Sequence, residues 1–284
     1  MGKLVLSGTP WEVHKVKGTN VYVKREDLCC PEPGPSFSKI RGVKAVLTRL
    51  LKECDRYTTD IGVLDTFHSK AGWGVSYICD ALGLQAHVFY PVYKAEGSIE
   101  EHDLRVNQQR CRDLGAILHP LQAGRSAILY HQAKKLLIRY NHLAYMMPNG
   151  LQLQETVDAT AGEAEAYTPD DLFSGTWVCS ISSGTICAGL IQALRCEDAS
   201  IIAHMGYHRS MASARNYMLG KAKVDPQVME GRLVLIDEGF QYKQGINEPC
   251  PFPCNEYYDL KAWRWLKDNI NFLSRPIVFW NIGA

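Results

Sequence analysis

Short apolar runs rich in Val, Ile and aromatic residues alternate with amphipathic stretches along most of the chain. Val21–Lys24, Ile61–Phe67, Ala86–Tyr90, Ala116–His119, Leu143–Met147, Trp177–Ile181, Ser200–Met205, Leu233–Ile236 and Ile277–Trp280 read as strands. Between them, Ile40, Val43, Leu47, Leu50 and Leu51 recur at three- and four-residue steps, which gives Ser38–Cys54 one apolar helical face. Gly74–Leu82, Ile99–Leu114, Arg125–Arg139, Glu155–Ala166, Ile186–Arg195, Ser210–Leu219 and Tyr257–Ile270 follow the same helical pattern. Strands alternating with helices of this length predict an α/β protein with mostly parallel sheets, because a parallel pair needs a crossover helix.

A chain of 284 residues is comfortable as two domains. Cys-Cys-Pro-Glu-Pro-Gly-Pro at 29–35 and Met-Met-Pro-Asn-Gly at 146–150 interrupt the pattern. They suggest a large domain of 1–45 and 148–284 and a small domain of 46–147, so that the chain leaves one domain and returns to it. Thirty-one Lys and Arg against 30 Asp and Glu leave a net charge of +1. That balance gives no field to steer a polyanion, so a nucleic-acid coat is disfavoured while a nucleotide-linked substrate stays open. No apolar run approaches the roughly 18 residues of a membrane span, and the N-terminus does not read as a signal peptide.

The ten cysteines do not form a disulfide framework, since several fall inside apolar runs where a free thiol packs as a small hydrophobe. Cys250 and Cys254 flank Pro-Phe-Pro without a neighbouring His or Cys pair, so no metal site is expected. The cysteine usage suits a reducing cytoplasm.

Four segments carry residues suited to chemistry. Lys39 stands in the first turn of the amphipathic helix, with Ser36 or Ser38 available as cap. A helix N-terminus favours a neutral amine, which a Schiff base requires, although position alone fits a solvated lysine as well. Ser182-Ser183-Gly184-Thr185 joins a strand to a helix and resembles a phosphate cradle, or else a packing turn of small residues. His68-Ser69-Lys70-Ala71-Gly72 forms a second strand-to-helix joint whose amides and side chains could hold a carboxylate. Tyr258 and Asp259 open the last long helix, where an acidic residue is favoured on electrostatic grounds alone.

Taken in order, these segments resemble the fold-type II pyridoxal-phosphate (PLP) enzymes of the tryptophan synthase beta superfamily, specifically the aminocyclopropane-carboxylate deaminase and D-cysteine desulfhydrase branch. Thr9-Pro10 with Val21–Leu28, then Ser38-Lys39-Ile40-Arg41, look like that family's opening and its cofactor lysine motif. Ser182–Thr185 with Ala188-Gly189-Leu190 look like its phosphate loop, and Phe67–Gly72 lie where it has its substrate-carboxylate loop. Asp237-Glu238 with Gly245, Tyr258–Ala262 and the terminal Asn281-Ile282-Gly283 complete the order. The likeness covers nearly the whole chain, and the ordered set carries it rather than any one motif.

The resemblance implies two domains, each a mostly parallel twisted sheet flanked by helices, PLP as cofactor, and a homodimer. It implies that Lys39 holds the cofactor aldehyde as an imine, yields it to the substrate amine and then transfers a proton. Ser182, Ser183, Gly184 and Thr185 would anchor the phosphate, and Asp259 would face the pyridine nitrogen. Tyr258 would lie by the ring, and Ser69 with His68, Lys70, Ala71 and Gly72 would bind the substrate carboxylate.

The chain departs from the family pattern at four points. Lys70 replaces an Asn, Gly42 follows Arg41 where a second basic residue is usual, Ile282 replaces a Thr, and the chain stops almost at the final motif. The first reading is therefore a PLP-dependent lyase or deaminase acting at Cα or Cβ of a small amino acid through an external aldimine. The alternative is a decarboxylase or eliminase acting on an amino-acid group carried by a larger molecule, such as a modified pyrimidine nucleotide. A third is a non-catalytic binder that keeps the scaffold.

Overall fold

The computed structural model describes residues 6–53, 59–94, 97–99, 101–194 and 198–283. By contacts the chain divides into two units. One contains Pro31–Pro35 and Val43–Leu153, and the other contains Val5–Cys30, Ser36–Gly42 and Gln154–Ala284.

The second, larger unit holds a six-stranded sheet. Its strands are β1 (Trp11–Val16), β2 (Thr19–Arg25), β7 (Thr176–Ile181), β8 (Ser200–Met205), β9 (Leu233–Ile236) and β10 (Ile277–Asn281), in the order β1-β2-β10-β7-β8-β9. All neighbours run parallel except β1 and β2, a hairpin turned through Lys17 and Gly18, both at positive φ. The sheet is buried on both faces, as parallel sheets are. Alternation along β7 sends Trp177, Cys179 and Ile181 to one side and Val178 to the other. The first side packs α5 (Gln154–Tyr167), α6 (Thr185–Ala193) and α7 (Met211–Ala222). The second packs α8 (Asp259–Asn269), whose Trp263 and Leu266 are fully buried and contribute roughly 1.5–3 kcal/mol each.

The other unit holds four parallel strands, β3 (Asp60–Leu64), β4 (Gln85–Val92), β5 (Ile117–Gln122) and β6 (Tyr145–Met146), in the order β5-β4-β3-β6. Helices α2 (Ala71–Leu82), α3 (Val106–Asp113) and α4 (Ser126–Tyr140) belong to it. Helix α1 (Ile40–Glu53) starts in the larger unit and continues into this one after Gly42.

The α/β class and the parallel sheets are as expected. Several boundaries differ. The edge strand β1 was not expected, β3 ends at Leu64 rather than Phe67, and α3 begins at Val106 rather than Ile99. Its missing turns are occupied by a bridge between Gly97, at φ 112°, and His102. The expected helix ends at Cys54 and Arg195 lie outside the described residues. No helix among the described residues is long and apolar enough to cross a membrane. The eight described cysteines are free thiols.

Candidate active site

Lys39 immediately precedes α1 and is held from both sides along the chain. Ile40 N donates to Phe37 O and Arg41 N to Ser38 O, which closes the first turn. The Ser38 hydroxyl, one of the two candidate caps, is buried without a hydrogen-bond partner and does not cap the helix. Beyond Lys39, the Arg41 guanidinium donates to the buried Glu26 carboxylate.

The Lys39 amine lies 2.8 Å from Ser183 Oγ. Burial first, and the positive charge of Arg209 second, lower its pKa from 10.5 to about 8. Ser183 sits in the β7–α6 turn, 3.0 Å from Thr185 Oγ1, which lies 3.1 Å from the Tyr217 hydroxyl. Gly184 takes φ 90°, and a Cβ there would stand 2.8 Å from Met218 Cγ. Both the conformation and the close approach of α7 therefore require glycine. The turn ends at the N-terminus of α6, which has no side-chain cap.

Tyr258 is hydrogen-bonded to Ser182 and Tyr242, and burial together with the Tyr242 contact pushes its phenol up. Its ring covers Gly206, where a Cβ would be 2.6 Å from Tyr258 Cδ1. The next residue, Asp259, is 3% exposed and accepts from Ile282 N at 3.4 Å. The carbonyl of Ile282 accepts from Ser38 N, also at 3.4 Å. One backbone residue thus links the Asp259 carboxylate to the segment carrying Lys39, and the Ile282 side chain takes no part.

In the smaller unit, the joint between β3 and α2 is organised by Asp65, a residue that no sequence motif singles out. Asp65 is 1% exposed and bonds the Ser69 hydroxyl and Gly72 N. Burial outweighs these bonds and raises its pKa to about 6. Ser69 Oγ also accepts from Ala71 N at 2.9 Å, and Ser69 N donates to Thr66 O. The amides of Ser69, Ala71 and Gly72 are thus engaged inside the loop. Lys70 occupies the cap position of α2 without a capping side-chain bond, and His68 packs edge-on against Phe67. Arg105 and Asn107 brace the joint by donating to Phe67 O and Ser69 O.

No protein-family model matches the chain. It is 46% identical over 288 residues to the "Glycyl-dTMP PLP-dependent decarboxylase" of Pseudomonas phage M6, an alignment covering 99% of this chain and 100% of that protein. The chain belongs to the fold-type II PLP-dependent enzymes. Solved structures agree on the fold. The crystal structure of an ACC deaminase homologue superposes with a TM-score of 0.79 at 19% identity, covering 99% of this chain and 90% of that one. Threonine deaminase isoform 2 from Solanum lycopersicum gives 0.64 at 16% identity, covering 99% and 84%.

The larger unit of this PLP enzyme fits the cofactor on its own geometry. A half-buried amine with a lowered pKa, a hydroxyl-lined turn opening α6, and the buried unpartnered polar atoms of Ser38 and Arg209 suit an aldehyde and a phosphate. Within this unit the fold brings together Lys39, Ser183 and Thr185, joins Ser182 to Tyr258, and links Asp259 to Ser38 through Ile282. His68, Ser69, Lys70, Ala71 and Gly72 cluster in the other unit. Arg209 and Tyr217 were missed because a loop Arg and a helical Tyr carry no motif.

Proposed function

We propose that this PLP enzyme removes the α-carboxyl group, as carbon dioxide, from an amino-acid residue carried on a pyrimidine nucleotide. The carrying observation is the end-to-end likeness to a phage enzyme named for the decarboxylation of glycyl-dTMP. PLP supplies, when bound, the electron sink that accepts the pair left behind as a bond at Cα breaks.

Lys39 is the catalytic amine in this reading. At a pKa of about 8 a useful fraction is neutral near physiological pH, and its protonated form can return a proton to Cα after the carboxyl group has left. Ser182, Ser183, Gly184 and Thr185 hold the cofactor phosphate through hydroxyls and the N-terminus of α6. Asp259, fixed by Ile282 N, would hold a proton on the pyridine nitrogen, and Tyr258 would lie by the ring. The loop of His68, Ser69, Lys70, Ala71 and Gly72 in the smaller unit is assigned the substrate carboxylate, which it would meet through the side chains of His68 and Lys70 rather than through its amides.

The loop around Ser69 favours decarboxylation over the deaminase or eliminase reading. A carboxylate that leaves as neutral carbon dioxide loses every charge-assisted bond, so a strong grip would stabilise the starting state more than the transition state. Here the amides of Ser69, Ala71 and Gly72 and the Ser69 hydroxyl are already committed within the loop.

The test is to incubate the PLP-loaded protein with glycyl-dTMP and with a panel of free amino acids, following products by mass spectrometry. Loss of carbon dioxide from the nucleotide, abolished in Lys39→Ala, is the expected result. Ready turnover of free amino acids with an inert nucleotide would return the assignment to a small-molecule lyase. The enzyme is further expected to work in the cytoplasm as a homodimer, which analytical ultracentrifugation of the PLP-loaded protein checks.

A further inference from the structure

Gly206 N donates to Ile181 O at 3.0 Å, so the carboxyl ends of β7 and β8 lie side by side. Two turns leave there, 182–184 before α6 and 206–210 before α7. Carboxyl ends of adjacent parallel strands are where α/β sheets bind ligands. Arg209 stands in the second turn. Its Nε and Nη2 are buried and have no hydrogen-bond partner, and its Cζ lies 6.0 Å from the centre of the Tyr207 ring. Its charge acts on the Lys39 amine and on the Tyr217 phenol, which reaches Thr185 of the first turn.

Two cations thus approach one hydroxyl-lined turn, and no ion pair joins Arg209 to a carboxylate among the described residues. Two guanidinium nitrogens shielded from water without an acceptor are costly on a half-buried side chain, so an anion is the missing component. The planar fork of Arg suits the oxygens of a phosphate, and the helix start at α6 faces the same need.

We propose that Arg209 is a ligand for a phosphomonoester dianion at the carboxyl ends of β7 and β8, beside the Ser182–Thr185 turn. This rests on the cofactor reading above, which supplies two phosphates of the same chemistry, that of PLP and that of a nucleotide substrate. Arg209 pairs with the dianion through its unpartnered Nε and Nη2, and the hydroxyls of Ser183 and Thr185 join it where the dianion is that of PLP.

The experiment compares wild type, Arg209→Gln and Arg209→Lys, each checked for wild-type melting. Cofactor-free protein is titrated with PLP and with pyridoxal, which lacks the phosphate. Loaded protein is titrated with the nucleotide substrate and with its nucleoside. A loss on the order of ten- to a hundredfold in Arg209→Gln for PLP alone assigns the cofactor phosphate, and the same loss for the nucleotide alone assigns the substrate phosphate. Arg209→Lys, which keeps charge but not the fork, is expected to recover part of either loss. Equal weakening of phosphate-bearing and phosphate-free ligands, or no weakening, overturns the proposal. Calorimetry with inorganic phosphate on the cofactor-free protein separates the two readings. Were wild type to bind no PLP, the cofactor reading would fall, while phosphate binding lost in Arg209→Gln would still support Arg209 and unchanged binding would refute it.

Discussion

Arg41 donates through both of its Nη atoms to the Glu26 carboxylate, two residues along the chain from Lys39. Glu26 is fully buried and also accepts from the Thr9 hydroxyl. The network extends through Glu163, which receives Lys24 at 2.9 Å, Arg41 at 3.4 Å and the amides of Gly8 and Thr9. Two cations and two anions balance without solvent. The stretch Lys24–Asp27, part of the family-like opening, is thus a clamp that fixes the start of α1 and with it the root of the Lys39 side chain.

Removing one partner of that clamp leaves a buried charge uncompensated, which costs about 3–5 kcal/mol. Glu26→Gln is therefore expected to lower stability by that order in urea unfolding. Cofactor capture should weaken too, because Lys39 loses its support. Wild-type stability in Glu26→Gln would show that Arg41 finds another anion.

The Lys39 amine gives a prediction in pH. Its pKa is lowered from 10.5 to about 8, so the neutral form accumulates as pH rises through about 8. The rate at which cofactor-free protein captures PLP should therefore climb with pH and level off above about 8, followed through the absorbance of the bound cofactor. A rise continuing toward 10.5 would show an ordinary solvated lysine. The sign is fixed, since only the unprotonated amine attacks an aldehyde.

Much of this was legible in the sequence, for physical reasons that can be stated. Parallel strands buried on both faces make near-continuous apolar runs, so β4, β7, β8 and β10 announce themselves. Trp11–Val16 did not, because an edge strand keeps Val13 55% exposed and alternates with Glu12, His14 and Lys15. The Ser182–Thr185 turn was legible because a tight strand-to-helix turn with Gly184 at φ 90° selects small residues. Arg209 was not, because its meaning comes from strand order: β8 lies beside β7, which composition does not encode. Asp65 was hidden for a related reason, since it read as one residue of a strand that in fact ends before it.

Gly42 explains one departure from the family pattern. A Cβ at this position would lie 2.0 Å from Thr156 Oγ1 and 2.6 Å from Thr156 N, so α1 and α5 touch backbone to backbone here. Gly42→Ala is expected to destabilise by at least the roughly 1–3 kcal/mol typical of overpacking, measured by denaturant unfolding. Thr156→Ala should not rescue it, because the backbone contacts remain. Rescue would mean that only the hydroxyl is in the way.

Asp65 links the loop around Ser69 to acid stability. Its carboxyl is raised from 3.8 to about 6 by burial, so the folded state holds the proton more tightly than the unfolded chain. Between about pH 4 and 6 the unfolded chain gives up this proton while the folded protein keeps it. Stability from this group is therefore greatest below about pH 4, falls as pH rises to about 6, and is level beyond. The whole fall from 3.8 to about 6 corresponds to roughly 3 kcal/mol. Asp65→Asn retains an acceptor for Ser69 and Gly72 but cannot ionise. The difference between wild-type and Asp65→Asn unfolding free energies, taken across about pH 4 to 7, should trace this fall and then flatten. A difference independent of pH would mean that Asp65 ionises normally, and the loop would then be half charged already at about pH 4.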